Sequence, residues 1–337
     1  MKAIGYYKNL PVTEPDSLVD IEIPKPEPGP RDLLVRIEAI SVNPADVKQR
    51  ANSAPTDGNA KILGYDAVGT VEQVGNDVRL FKPGDEVFYA GAINRPGTYA
   101  EFHAVDERVV GLKPKSLSNA EAAALPLTSL TAWELLFEKL AVPYGTKANR
   151  EAILIINGAG GVGSVLTQIA RRLTGLTVIA TASRPETIAW VKAMGAHHVV
   201  DHRKPLDEEF RKIGIPHVKY VAGLTSTDRH QEAILEILKP RGALAMIDDP
   251  ERFDFVKFKR KSLSVHWELM FTPTLFQTPE MDDQHRILTE VSALVDSGVI
   301  KTTQREDLGK INAENLKRAH AILESGRGIG KTVLSGF

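Results

Sequence analysis

The residues with the clearest chemical purpose are the glycines of Gly158-Ala159-Gly160-Gly161-Val162-Gly163. Gly158, Gly160, Gly161 and Gly163 let a backbone approach a pyrophosphate with no Cβ in the way. Free N–H groups at a helix start, here around Val162, bind its charge. A glycine-rich turn can also serve packing alone. The context favours a dinucleotide: the apolar strand Ile153-Leu154-Ile155-Ile156 precedes the turn, and Val162, Leu166, Ile169 and Leu173 follow at helical spacing.

About 20 residues past the glycines, sites that prefer NAD place a carboxylate on the ribose hydroxyls. This chain has Thr181-Ala182-Ser183-Arg184 there, with no acid to repel a 2′-phosphate. Arg184 can bond such a phosphate with charge assistance, so NADPH is the expected cofactor. Ser183-Arg184-Pro185-Glu186 also reads as a capping box, with Ser183 as cap and Glu186 as its partner. The two readings are compatible, because a helix start welcomes a phosphate. His202 and Arg203 follow the third strand and are placed near the adenine end, although lone basic residues are more often plain surface charges.

These residues need a scaffold, and the surrounding pattern supplies one. From Ala152 to about Ile247, apolar strands alternate with amphipathic helices; the strands are expected at 152–156, 177–181, 197–200, 219–222 and 243–247. Near-continuous apolar runs suit parallel strands covered on both faces, hence a doubly wound Rossmann sheet. A further strand is expected at 262–267. The first 115 or so residues are instead short strands broken by Pro and Gly, such as 33–40 and 69–74, with turns such as Lys82-Pro83-Gly84-Asp85. The character changes near Leu117, where Ser118 and Glu121 make a capping-box pair. Helices are expected over 283–296 and 313–324, the second capped by Asn312 and closed by Gly326. The last strand, Lys331-Thr332-Val333-Leu334, is expected to return to the first domain. The boundaries read from this pattern are 1–125 with 267–337, and 126–266.

A chain of 337 residues suits two domains, and 42% hydrophobic with 25% charged residues is ordinary for a globular protein. A formal charge of -1 without a basic block leaves no positive stripe for nucleic acid. No apolar run approaches the roughly 18 residues that span a bilayer, and Met1–Tyr6 carries no signal core, so no membrane partner and a cytoplasmic location are expected. Cysteine is absent, which excludes disulfides, iron–sulfur clusters, thiolate nucleophiles and cysteine-ligated zinc. The nine histidines form no HExxH or HxH pair, and His197 and His198 point oppositely on a strand. Gly326–Thr332 looks like a P-loop, but its first glycine position is Ser325 and no helix is expected after it.

Several motifs together carry a family resemblance: Asn43-Pro44-Ala45-Asp46, Gly64-Tyr65-Asp66-Ala67-Val68-Gly69-Thr70-Val71, Phe81-Lys82-Pro83-Gly84-Asp85-Glu86-Val87, Leu125–Ala132 and the glycine loop. Over essentially its whole length the chain resembles the medium-chain dehydrogenase/reductase superfamily, in particular its quinone oxidoreductase branch, often labelled zinc-type alcohol dehydrogenase-like. The resemblance implies an α/β protein with a split, mostly β GroES-like catalytic domain, a Rossmann cofactor domain, and commonly a dimer or tetramer through the cofactor domains. Zinc-dependent members hold their metal with Cys, His and Cys; the matching positions here are Asn43, Tyr65 and Leu127. The hydroxyl of their proton relay falls at Ala45. No metal ligands are therefore expected.

In the same framework the resemblance puts Thr131 beside the nicotinamide and Lys331 near the active-site cleft. Asn43 is expected to bond the nicotinamide ribose or the substrate oxygen. Tyr65 is expected either to donate to an enolate or only to fill the metal's volume, and Asp46 to order the loop around Asn43. Without a Lewis acid, an acceptor that is already conjugated is the better match. The expected activity is NADPH-dependent hydride transfer to a quinone, enal or enone, with orientation supplying most of the rate. The alternatives are a zinc alcohol dehydrogenase, or an NADPH-binding protein with little turnover. Trp267, Phe271, Leu275 and Phe276 can line an apolar pocket, or serve equally as core or dimer interface.

Overall fold

The computed structural model describes residues 1–56, 58–148 and 150–337. Their contacts form two compact units, Met1–Leu130 with Phe271–Phe337, and Thr131–Met270. In chain order the first unit begins with β1 (Lys2–Tyr6), β2 (Val19–Glu22), β3 (Asp32–Ser41), β4 (Lys61–Ile62), β5 (Asp66–Val74), β6 (Glu86–Tyr89), β7 (Phe102–Asp106) and β8 (Val110–Leu112). The second unit contains β9 (Ala152–Ile156), β10 (Thr177–Thr181), β11 (His198–Val200), β12 (Val218–Gly223), β13 (Leu238–Met246) and β14 (Ser264–Trp267). The chain then returns to the first unit with β15 (Gln304–Asp307) and β16 (Lys331–Ser335).

The first unit is built around the long strand β3, which pairs antiparallel with β5 along one edge. Its other edge is shared: β7 pairs with Asp32–Arg36, and β16 pairs with Ala39–Ser41. The final strand thus returns to the first domain as the sequence predicts. It arrives beside Val42 and Asn43, where the Val42 N–H donates to Thr332 O at 3.2 Å. Helix Ala313–Glu324 is capped as expected, with Asn312 Oδ1 accepting from the Asn315 N–H at 2.9 Å.

The second unit is a six-stranded parallel sheet in the order β11-β10-β9-β12-β13-β14. That is the dinucleotide-binding order, in which ligands sit outside the carboxyl ends of the strands where the order reverses. Every residue of β9 is buried, as a strand covered on both faces must be. One face packs Leu154, Ile156, Val221, Leu244 and Phe210 into a single cluster. Helix Gly161–Leu173 buries Val165, Leu166, Ile169 and Leu173, each worth about 1.5–3 kcal/mol. Val162, expected on that stripe, is only half-buried, at the helix's first turn. No described helix is long and apolar enough to cross a membrane.

Candidate active site

In the first unit the polar residues converge after β3. Asn43 occupies the cap position of helix Pro44–Asn52, and its N–H donates to Asp46 Oδ2 at 2.7 Å. Asp46 Oδ1 accepts from the Gly64 N–H at 3.0 Å, so this carboxylate ties the helix start to the turn before Tyr65. Gly64 is required there: its φ is +101°, and a Cβ would lie 2.4 Å from the Tyr99 ring. Asp46 therefore orders the loop around Asn43, as the resemblance implies. Burial pushes its pKa up to about 7, opposed by the Asn43 N–H and by the Lys331 charge.

At the centre lies Asp66. Its Oδ1 accepts from the Leu127 N–H at 2.7 Å, and its Oδ2 accepts from Ser41 Oγ at 2.6 Å, Asn43 Nδ2 at 2.8 Å and Lys331 Nζ at 3.0 Å. Lys331 also donates to Val42 O at 2.9 Å and to Asn43 Oδ1. These acceptors use all three N–H donors of the ammonium. Lys331 is only 4% exposed, so its ammonium is held inside the protein. A buried charge needs an opposite charge and full hydrogen bonding, and here the protein itself provides both. Asn43 is likewise held at both ends of its carboxamide.

Tyr65 follows on the same segment, buried, with its ring 4.9 Å from that of Phe271. Burial, the Asp46 charge and Tyr6 push its phenol pKa well above the ordinary value. Of the other pocket candidates, Leu275 and Phe276 are exposed in the first unit. Trp267 is exposed in the second, its ring 5.5 Å from that of Phe255.

In the second unit the chain leaves β9 through Asn157, whose N–H donates to Thr181 Oγ1 at 2.9 Å. Gly158 N–H reaches Thr181 O at 3.2 Å, and Gly160 takes the cap position of helix Gly161–Leu173. A Cβ on Gly163 would sit 2.3 Å from Asn157 O, so only glycine lets the helix dock this close to the strand end. The first-turn N–H groups have no partner within the helix and point outward.

Ser183, Arg184 and His202 follow the ends of the neighbouring strands β10 and β11. The capping expectation needs correction. Arg184, not Ser183, takes the cap position of helix Pro185–Met194, and Thr187 Oγ1, not Glu186, accepts from its N–H at 3.1 Å. Pro185 at the first helical position sets this register. Glu186 instead pairs with Arg184 Nε at 3.3 Å. Arg203 is exposed, as a surface charge is; its Nη2 donates to Ser183 O at 2.9 Å while the guanidinium pairs with Asp201. His202 Nδ1 is buried without a hydrogen-bond partner. Thr131 is buried on helix Pro126–Trp133. Sequence reasoning quoted Asp66 within a motif but gave it no role; its partners lie too far along the chain for spacing to find.

Fold and site together define an oxidoreductase with a GroES-like part and a Rossmann-type sheet. Residues 29–115 match the family model for the alcohol dehydrogenase GroES-like domain, and residues 194–334 match that for zinc-binding dehydrogenases. A zinc-type alcohol dehydrogenase-like protein of Staphylococcus aureus MSSA476 is 41% identical over 99% of this chain and 100% of its own length. The 2-methylene-furan-3-one reductase of Solanum lycopersicum is 30% identical over 99% of this chain and 79% of its own. Among solved structures, a putative zinc-dependent alcohol dehydrogenase protein from Rhizobium etli CFN 42 matches with TM-score 0.96 at 56% identity, covering 100% of this chain and 98% of that one. The Escherichia coli quinone oxidoreductase, solved in complex with NADPH, matches with TM-score 0.83 at 25% identity over 99% and 100%. The chain belongs to the medium-chain dehydrogenase/reductase superfamily, among its zinc-type alcohol dehydrogenase-like proteins.

The residues do not fit the zinc that this label implies. Asn43 is a carboxamide held by Lys331 and Asp66, Tyr65 is a phenol that burial keeps protonated, and Leu127 has no donor atom. The Lys331 ammonium beside them repels a cation. No group of three His, Cys, Asp or Glu side chains converges among the described residues. A dinucleotide does fit, on the Gly163 cradle, the open helix start and the unpartnered His202 nitrogen.

Proposed function

We propose that the chain is an NADPH-dependent reductase of quinones or α,β-unsaturated carbonyls that works without zinc. The carrying observation is the Asp66–Lys331–Asn43 hub, which occupies the region of the expected metal ligands with an internal ammonium. The S. lycopersicum reductase and the E. coli quinone oxidoreductase support the choice of acceptor. The unit Thr131–Met270 is assigned as the cofactor domain. Gly158, Gly160, Gly161, Val162 and Gly163 would hold the pyrophosphate, Ser183, Arg184 and Arg203 a 2′-phosphate, His202 the adenine end and Thr131 the nicotinamide.

When bound, a reduced nicotinamide supplies one hydride, and one proton completes the two-electron reduction of the acceptor. Tyr65 stays protonated at neutral pH and donates a hydrogen bond to the oxygen that gains charge. So weak an acid stabilises that charge better than it surrenders a proton. Asn43, Asp66 and Lys331 hold the loop beside it rigid. The open edge of β14, with exposed Phe255, Trp267 and Leu269 nearby, supports a homodimer through this unit. Light scattering on the purified chain checks that assembly.

NADPH oxidation against a panel of quinones, enals and enones tests the reading. Turnover of at least one class is expected, with no loss after chelation. Stoichiometric zinc with alcohol turnover would overturn it.

A further inference from the structure

The second unit contains two buried acids that this reading leaves unused. Glu134 opens a π-helical stretch, Glu134–Lys139, in which the Leu140 N–H reaches Leu135 O at 3.0 Å. Such stretches are uncommon and concentrate at functional sites. Glu268 follows β14, and its N–H donates to Met246 O, at the end of β13, at 2.8 Å. It therefore sits at the carboxyl edge of the sheet, where this fold binds its ligand.

Both side chains are buried, and the two carboxyls lie close enough to act on one another. Among the described residues, no N–H, hydroxyl or ammonium donor reaches either oxygen of Glu268. Lys139 Nζ approaches Oε2 only to 3.7 Å, beyond hydrogen-bond reach. Two carboxylates facing one another in so dry a place repel strongly. An acid facing a carboxylate does not, because a single proton supplies the donor the pair lacks and makes a charge-assisted bond.

We propose that Glu134 and Glu268 share one proton and act as positioning residues, clamping the Thr131-bearing helix to the carboxyl end of β14. The clamp rests on the reading that this edge holds the cofactor. Burial raises both pKa values, that of Glu134 the more, and the mutual contact raises Glu134 further. The other charged groups acting on the pair are Glu138, which repels, and Lys139, which attracts. The sign follows: with folded pKa values above the ordinary 4.5, stability is greatest at low pH and declines as pH rises through the raised values.

The test uses the full chain, E134Q and E134L. At about pH 8 the infrared C=O band of a buried carboxylic acid is expected in the wild type and absent in E134Q; a wild type without it overturns the shared proton. The melting temperature of the wild type should fall as pH rises, and less steeply in E134Q, whose amide donates to Glu268 at every pH. Equal slopes overturn the pair's role in stability. In fluorescence titrations with NADPH near pH 7, E134Q should bind like the wild type and E134L about tenfold more weakly. If E134L fails to fold, E134Q alone decides, through the band and the slope. Equal affinity in all three chains overturns the clamp. Failure of the wild type to bind NADPH defeats the cofactor reading instead, while the band and the slope still report the shared proton.

Discussion

The two units meet the same problem, an acid buried away from water, in opposite ways. Asp66 in the first unit is neutralised by a buried ammonium and accepts four hydrogen bonds. Glu268 in the second faces another acid, with an ammonium only at 3.7 Å. The first solution works by opposite charge and full hydrogen bonding. The second works only while a proton is held between like groups, so its contribution follows pH. In the first unit a fixed internal cation orders the loop that carries Asn43.

The largest effect that can break this comparison is expected from Lys331→Met, which leaves Asp66 buried without its counter-charge. Thermal and denaturant unfolding should show a loss of about 3–5 kcal/mol. The double variant with Asp66→Asn should lose less than the sum of the single variants; simple additivity would mean that the hub is no hub.

Tyr65→Phe comes next. It removes a hydroxyl but no charge, so folding should survive while kcat falls about 10²–10³-fold. Unchanged kcat would return Tyr65 to the role of filling volume.

Asp46 sharpens the contrast from inside the first unit. Its folded pKa of about 7 stands above the ordinary 3.8, so its contribution to stability declines as pH rises through that interval. The decline is on the order of 1–3 kcal/mol, visible as a falling melting temperature between about pH 4 and 8. A flat profile would show that the N–H donors of Asn43 and Gly64 hold the carboxylate better than burial disfavours it.

The smallest effect concerns charges left near the surface. Arg184→Ala should weaken NADPH by about tenfold and NADH far less. Equal losses in binding titrations would remove Arg184 from the phosphate site, and Arg203→Ala then tests its neighbour.

Much of the scaffold was legible. The alternation from Ala152 onward gave the parallel sheet, the glycine loop fell between β9 and its helix, and the caps at Ser118 and Asn312 form as read. These are local signals, carried by periodicity and by spacings of three or four residues. One local reading slipped: Pro185 moved the cap from Ser183 to Arg184.

What the sequence determined alone was chemistry that depends on residue type: no cysteine, no histidine ligand pair, and no carboxylate after the second strand. What only the tertiary structure decided was how buried charges were matched. Lys331 and Asp66 are 265 residues apart, and nothing in the spacing of Glu134 and Glu268 marks them as partners. A charge chooses its partner by distance through space after the chain has packed, and burial, which makes that choice matter, does not exist until then.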